Sequence, residues 1–399
     1  MKTFSFSTLA TRLLPLATSL LLSIPAMAGA INTFTGGTSG TGAGLNTDGN
    51  WSPGLAPTSI TGTGSYTDLL FNSPINALTD SSSNIHGQSW NVTNGASYTI
   101  TPSSAAVSTL RAGTTGNATV KEVIAPFTNA VSNVAQDLVY LTNSSNLSIA
   151  VGISTGATFQ IRQSGKINIS AGSKFTVDLP VSYNGNSSGT SDLTFTGQGT
   201  TVFTSLTGSY TGSTTISAGT LKASSLKNVS TASSLGAPAL AKATIAIGGA
   251  TNTGALEYTG TGDSTNRVID LAGTTGGATL TQSGSGALVY ASAMTATGAG
   301  SKTLTLSGSS SGTGELAGAI VNNSAGNTTS LVKSGSGTWT LSGANTYTGS
   351  TTVNGGTLTL KSAYLANTSD ITVATGAFLN LDYAGTDTCL LYTSPSPRD

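Results

Sequence analysis

The sequence predicts an all-β chain wound into a right-handed parallel β-helix, a β-solenoid with a loop-rich β cap at its N-terminal side. Three observations carry that prediction. Charged residues are scarce, short alternating segments recur between glycine-bearing turns, and one twelve-residue stretch occurs twice almost unchanged. Charged residues are 8% of the 399, against about 25% in ordinary globular proteins. Long surface helices need Lys, Glu and Arg on their wet faces, whereas strands can turn Thr, Ser and Asn to water. Gly and Pro number 51 and 11, together well below the roughly 25–30% that marks a disordered chain. With 37% apolar residues the chain can bury a core.

The first element is an address. Lys2 and Arg12 give a positive start, residues 13–24 form an apolar run, and Ala26-Met27-Ala28 supplies a small-x-small cleavage pattern. Residues 1–28 therefore read as a signal peptide cut between Ala28 and Gly29. A run of twelve is too short to be a membrane anchor, which takes roughly 20 residues, and Pro15 interrupts it. Residues 29–84, with Asn50 to Pro57 and Tyr66 to Phe71, read as the loop-rich β cap.

From about Ile85 to Thr388 the sequence alternates. Trp90/Val92 and Tyr98/Ile100 are apolar pairs split by one residue, and Phe159/Ile161, Ile167/Ile169 and Phe175/Val177 repeat that pattern every eight residues. Period-two alternation puts each pair on one face of a strand. Gly156, Gly165 and Gly172 are the expected corners, where glycine supplies positive φ. Residues 126–138 have the only helix-like spacing (Phe127, Ala130, Val131, Val134, Leu138), and a surface loop or irregular coil is the competing expectation there.

Repetition chooses a solenoid over a sandwich. Tyr210-Thr211-Gly212-Ser213-Thr214-Thr215-Ile216-Ser217-Ala218-Gly219-Thr220-Leu221 returns later in the chain as Tyr347-Thr348-Gly349-Ser350-Thr351-Thr352-Val353-Asn354-Gly355-Gly356-Thr357-Leu358, with nine of twelve positions identical. A weaker echo links residues 280–286 to 331–337. Repeated supersecondary units mark solenoids, where each coil buries its apolar side against the next. Coils of roughly 20–25 residues stacked at about 4.8 Å would give about 13 coils and a rod of the order of 60–70 Å.

The far end departs from this idiom. Residues 389–399, beginning at Cys389, resemble the in-frame translation of a transposase-type sequencing adapter, so the gene is expected to run on past Thr388. Without Cys389 the chain has no cysteine, which for an exported protein means no disulfide framework. A single histidine, His86, leaves no zinc site of the usual nitrogen and sulfur type. Fifteen acidic and fifteen basic residues cancel, so no basic field for nucleic acid is expected.

Residues 331–360 resemble the passenger-associated transport repeat, also called the autotransporter-associated β-strand repeat. The resemblance rests on Lys333, Gly335, Gly337, Trp339, Leu341, Gly343, Asn345, Tyr347, Gly349, Thr351, Thr352, Gly356, Thr357 and Leu358. A degenerate second copy spans residues 193–221, with Tyr210, Gly212, Gly219 and Leu221, Phe203 near the place of Leu341, and no tryptophan. The resemblance implies a β-helical passenger made with a signal peptide. It also implies transport by export machinery to the cell surface or beyond and an outer-membrane β-barrel partner. Separately, long Thr/Ser/Asn faces with few exposed aromatics suggest a structural or adhesin-like role toward a glycan or surface. Similar repeats also occur in exported proteins with a short C-terminal sorting anchor.

The competing function is a β-helical carbohydrate-active enzyme, a lyase or glycoside hydrolase. Glycosidase chemistry wants two carboxyl groups about 5–10 Å apart. The acids here (Asp178, Asp192, Glu257, Asp263, Asp270, Glu315, Asp370) are scattered singly. Asp263 and Asp270 flank Arg267, an arrangement expected to be a solvated turn with a local ion pair. A Ser-His-Asp protease would have to use His86, which reads as a turn residue beside a strand start. No catalytic residue, cofactor or metal is expected.

Overall fold

The computed structural model describes residues 164–183, 191–309, 311–362 and 370–384 without a break. To these it adds Ser144 and strand segments on either side, from Ile31–Phe34 to Leu391–Thr393. The strands form sheets of ten, fourteen, four and six members. The ladders between them are parallel, apart from an antiparallel pair between Ile31–Phe34 and Trp51–Ser52. The chain is a parallel β-helix.

One coil shows how the chain travels. Gly165–Ile169 lies in the ten-stranded sheet, Lys174–Val177 in the fourteen-stranded sheet and Val181–Tyr183 in the four-stranded sheet. Leu193–Thr196 then returns to the first face, with Leu193 in register with Gly165. The eight-residue spacing seen in the sequence is therefore one step per face. Phe159/Ile161, Ile167/Ile169 and Phe175/Val177 point into one core from three sheets. Gly172 turns a corner at φ +78°. Gly165 instead opens a strand and is buried, and Gly156 lies outside the described residues.

The four- and six-stranded sheets are successive parts of the third face. Between them residues 204–213 and 224–243 run along the same side, outside any β-strand, with a short 3-10 turn at Leu240–Lys242. They stay stacked through Tyr210 N–H to the Val181 carbonyl (3.3 Å) and Ser233 N–H to that of Gly208 (3.1 Å). The Leu226 N–H completes the link to the Asp263 carboxylate (2.9 Å). The ten-stranded sheet ends at Ile269–Leu271, apart from a bridge between Asp270 and Thr295.

Register stacks inward residue on inward residue. In the fourteen-stranded sheet one inward column runs Leu147, Phe175, Thr201, Leu221, Leu256, Leu280, Leu306, Lys333, Val353, Val373. Each fully buried apolar side chain contributes about 1.5–3 kcal/mol. Fourteen strands at about 4.8 Å make a stack of roughly 65 Å.

Coil length varies more than expected. Thr200 finds its partner at Thr220, whereas Gly219 finds its own only at Gly254, after a far longer excursion. Surplus residues leave the ladder at a corner, and loop-closure entropy grows only slowly with length. Asp137–Leu141 is a strand paired with Gly165–Ile169, so the last part of the helix-like spacing is β, and residues 126–136 lie outside the described set. Within the segment expected as a cap, Ile31–Phe34 pairs in parallel with Asp68–Phe71, and Leu78–Asp80 with Ser97–Pro102. Leu391–Thr393, inside the adapter-like tail, pairs with Ile371–Val373.

Candidate functional site: two self-stacked repeat coils

The near-identical segments each close one coil upon the one before it. In the first, Leu193, Phe195, Thr201 and Phe203 are in register with Thr214, Ile216, Leu221 and Ala223. In the second, Leu331, Lys333, Trp339 and Leu341 are in register with Thr351, Val353, Leu358 and Leu360. Phe203 thus occupies the place of Leu341, as its spacing suggested, and Thr201 that of Trp339.

A tyrosine plugs each corner. Tyr210 and Tyr347 are fully buried, and their hydroxyls share hydrogen bonds with Thr214 Oγ1 (2.9 Å) and Thr351 Oγ1 (2.8 Å), which are buried too. Burial pushes the Tyr347 hydroxyl up to about 12, and that of Tyr210 rises for the same reason. Both remain neutral. Two residues later the chain presses on the preceding coil. A Cβ on Gly212 would lie 2.1 Å from the Ser191 carbonyl carbon, and one on Gly349 would lie 2.3 Å from the Thr329 oxygen. Any side chain there would displace backbone. Gly219 and Gly356 then turn the next corner at φ +69° and +63°, which L side chains rarely adopt.

The second repeat adds polar staples. Lys333 sits at an inward position without exposure, and its ammonium donates to the carbonyls of Ser334, Gly335 and Gly355, each at 2.9 Å. The first two belong to its own corner and the third to the corner of the next coil. Burial pulls the lysine down to about 8. Asn345 accepts from the Ile320 N–H (2.9 Å) and donates to the Gly343 carbonyl (3.0 Å). The Trp339 indole donates to the Ser307 carbonyl (2.8 Å) and stacks on Tyr290 at 6.4 Å with an 11° interplanar angle.

The same device recurs outside the repeats. Gln282, in the weaker echo, donates to the carbonyls of Gly286 (2.6 Å) and Thr313 (3.2 Å). Lys302 donates to those of Gly298 and Ala299 (both 2.9 Å) and to that of Gly273. Arg267 overturns the expectation of a solvated ion pair. Its side chain is buried, Nε donates to the Ala243 carbonyl (3.0 Å), and Nη1 to that of Leu235 (2.8 Å). Alternation around Arg267 puts it inward, so corner carbonyls rather than the flanking acids are within its reach. A charged residue at an inward position is the sequence signal for this class.

Six of the seven acids singled out in the sequence serve as clamps between coils. Asp178 accepts from Thr204 (2.7 Å), and Glu257 pairs with Lys222 (2.9 Å). Asp263 pairs with Lys227, and Asp270 accepts from Thr295 (2.8 Å) and from the Thr297 N–H (3.0 Å). Glu315 accepts from Ser342, a residue of the next coil. Asp192 accepts from the Ser213 N–H (2.7 Å) and hydroxyl (2.8 Å) and pairs with Lys242 (2.9 Å). Burial raises its carboxyl, but these donors outweigh burial and hold it below the ordinary carboxylate value. Among the described residues no three His, Cys, Asp or Glu gather to hold a metal. His86 lies within the strand Asn84–Gly87, in register with Arg111, and not in a turn. Ala28 and Gly29 lie outside the described residues.

Two segments, residues 193–223 and 331–360, match the family model of the passenger-associated-transport-repeat. The chain thus carries two such repeats, in keeping with a passenger of the autotransporter type. No curated protein and no solved structure matches it.

Proposed function

We propose that this chain is the exported, non-enzymatic passenger of a bacterial surface protein, a stiff rod with an adhesin-like outer face. The observation that carries this reading is the pair of transport repeats with one internal geometry. Residues 1–28 act as the signal peptide, cut between Ala28 and Gly29. The partners are the export machinery and an outer-membrane β-barrel encoded beyond Thr388, the residues from 389 being adapter-derived. The adhesive face is argued from an outward column on the fourteen-stranded sheet: Thr200, Thr220, Ala255, Thr279, Thr305, Val332, Thr352 and Thr372. Uncharged hydroxyl and methyl groups repeated at about 4.8 Å suit a neutral, extended ligand such as a glycan.

Re-sequencing the locus past the Thr388 codon tests the reading first. About 250–300 further codons of alternating strands would support it; that span is the order needed for a barrel whose strands take about 9–11 residues each, with loops. A stop directly after Asp399 would overturn the barrel partner. For export, N-terminal sequencing of the secreted or surface-displayed chain is expected to begin at Gly29. A chain that stays in the cytoplasm with Met1 intact would refute passage altogether.

A further inference from the structure

We propose that each transport repeat is a self-templating coil nucleus, acting in export by folding on itself and not by presenting a surface to a partner. The export clause rests on the passenger reading above. The folding clause rests on three features of the molecule.

The first is closure within the repeat. Leu193 pairs with Thr214, and Leu331 with Thr351, so each repeat closes its coil over a short span. The coils between them take longer to close, Gly254 reaching its partner at Ala278 and Ala278 its next one at Leu304. In a solenoid the first coil pair is the costly one, because two coils must be ordered before any ladder bond forms. A short span between pairing strands lowers that cost and speeds formation.

The second is that both copies use the same internal parts. Each has the tyrosine-to-threonine bond inside the corner, the glycine pressed on the preceding coil, and a stacked glycine corner. Gly219 rests on the Gly197 and Gly199 carbonyls, as Gly356 does on those of Gly335 and Gly337.

The third feature decides between nucleus and docking surface. The two repeats occupy different faces of the rod. Thr214–Ile216 and Gly219–Ala223 lie in the ten- and fourteen-stranded sheets, whereas Thr351–Val353 and Thr357–Leu360 lie in the fourteen- and six-stranded sheets. The offset between the copies, from Tyr210 to Tyr347, corresponds to five coils and one further face. Equivalent outward residues consequently see different neighbours. Thr215 lies between Thr194 and Ala246, and Thr352 between Val332 and Thr372. A partner reading a surface would need one neighbourhood. A nucleus needs only its own two coils.

The test is pulse-labelled hydrogen exchange during refolding of the full chain from denaturant. Amides of Thr214–Ile216, Gly219–Ala223, Thr351–Val353 and Thr357–Leu360 are expected to gain protection before those of Gly254–Tyr258 and Ala278–Gln282. Tyr210→Phe and Tyr347→Phe should each slow protection of their own repeat about five-fold, the rate equivalent of one buried hydrogen bond made in the transition state. Thr351→Val reads the same bond from its other side and should match Tyr347→Phe. The outward substitution Thr352→Lys should leave the rate unchanged. Earlier protection of the intervening coils, or slowing by Thr352→Lys equal to that by Tyr347→Phe, overturns the inference. Refolding in solution involves no export, so the passenger reading can fail while this result stands. Conversely, an exported chain whose display is blocked by Thr352→Lys alone would keep the passenger reading and sink this one.

Discussion

Gly314 and Trp339 share one inward column, Leu288, Gly314, Trp339, Leu358, Leu379. The missing side chain at Gly314 lets the indole lean down one coil and reach Tyr290, two coils below. A Cβ at Gly314 would lie 2.6 Å from three atoms of the indole. The ring has little freedom to retreat, being held by the Ser307 carbonyl at 2.8 Å and by the Tyr290 face. Gly314→Ala therefore costs about 1–3 kcal/mol of overpacking, reduced by about 0.4–1 kcal/mol because the unfolded chain loses freedom. Trp339→Leu removes the indole and its hydrogen bond and should cost roughly 2–4 kcal/mol.

The double variant is the discriminating one. With leucine at 339 the space beside residue 314 is open, so Gly314→Ala should become neutral or stabilising. The coupling in the cycle should be about 1–3 kcal/mol, with the pair less damaged than the sum. Urea unfolding followed by far-ultraviolet circular dichroism reads stability, and hydrogen exchange at Thr313–Leu316 reads the local effect should the rod unfold in more than one step. Equal cost of Gly314→Ala in both backgrounds would refute the reasoning.

Three further outcomes are expected. Lys333 is charged in the fold only below about pH 8, whereas in the unfolded chain it holds its proton to its ordinary value of 10.5. The unfolded state thus binds more protons between those limits, and stability from this group rises with pH there. Compared with Lys333→Met, the protein should gain on the order of 3 kcal/mol from pH 7 to 10.5; parallel curves would count against it. Asp192 behaves oppositely. Its lowered value stabilises the fold above the ordinary carboxylate range, and the contribution is lost as pH falls through the folded value. Asp192→Asn should therefore be less stable at neutral pH and should show a shallower acid loss, measured by urea midpoints from pH 7 to 2. Leu358→Asp puts a charge between Trp339 and Leu379 and should cost at least 3–5 kcal/mol, roughly the penalty of an unpaired buried ion. Limited proteolysis should then open near residue 358, and the exported chain should be retained in the periplasm.

The strands were legible because alternation is local. Phe159/Ile161, Ile167/Ile169 and Phe175/Val177 needed only their own neighbours to declare an inward face, and each pair is buried. The repeat was legible because its tyrosine, glycines and threonines act within one coil pair. Arg267 was misread because its flanking acids are near in sequence, while the carbonyls of Leu235 and Ala243 that receive it come from the preceding coil and the strand approach. Gly314 gave no sign of its role, since its meaning lies in a ring on the next coil, at Trp339.

By itself the sequence determined an all-β chain, the apolar part of the inward set, and two copies of one transport repeat. These follow from side-chain direction and turn chemistry, which a few adjacent residues settle. The tertiary structure decided where the copies sit. The face on which a segment lands depends on the summed lengths of the coils before it, and those lengths are unequal, as the short step from Thr200 to Thr220 and the long one from Gly219 to Gly254 show. The same twelve-residue text was thereby carried one face around the rod, from the ten- and fourteen-stranded sheets to the fourteen- and six-stranded ones.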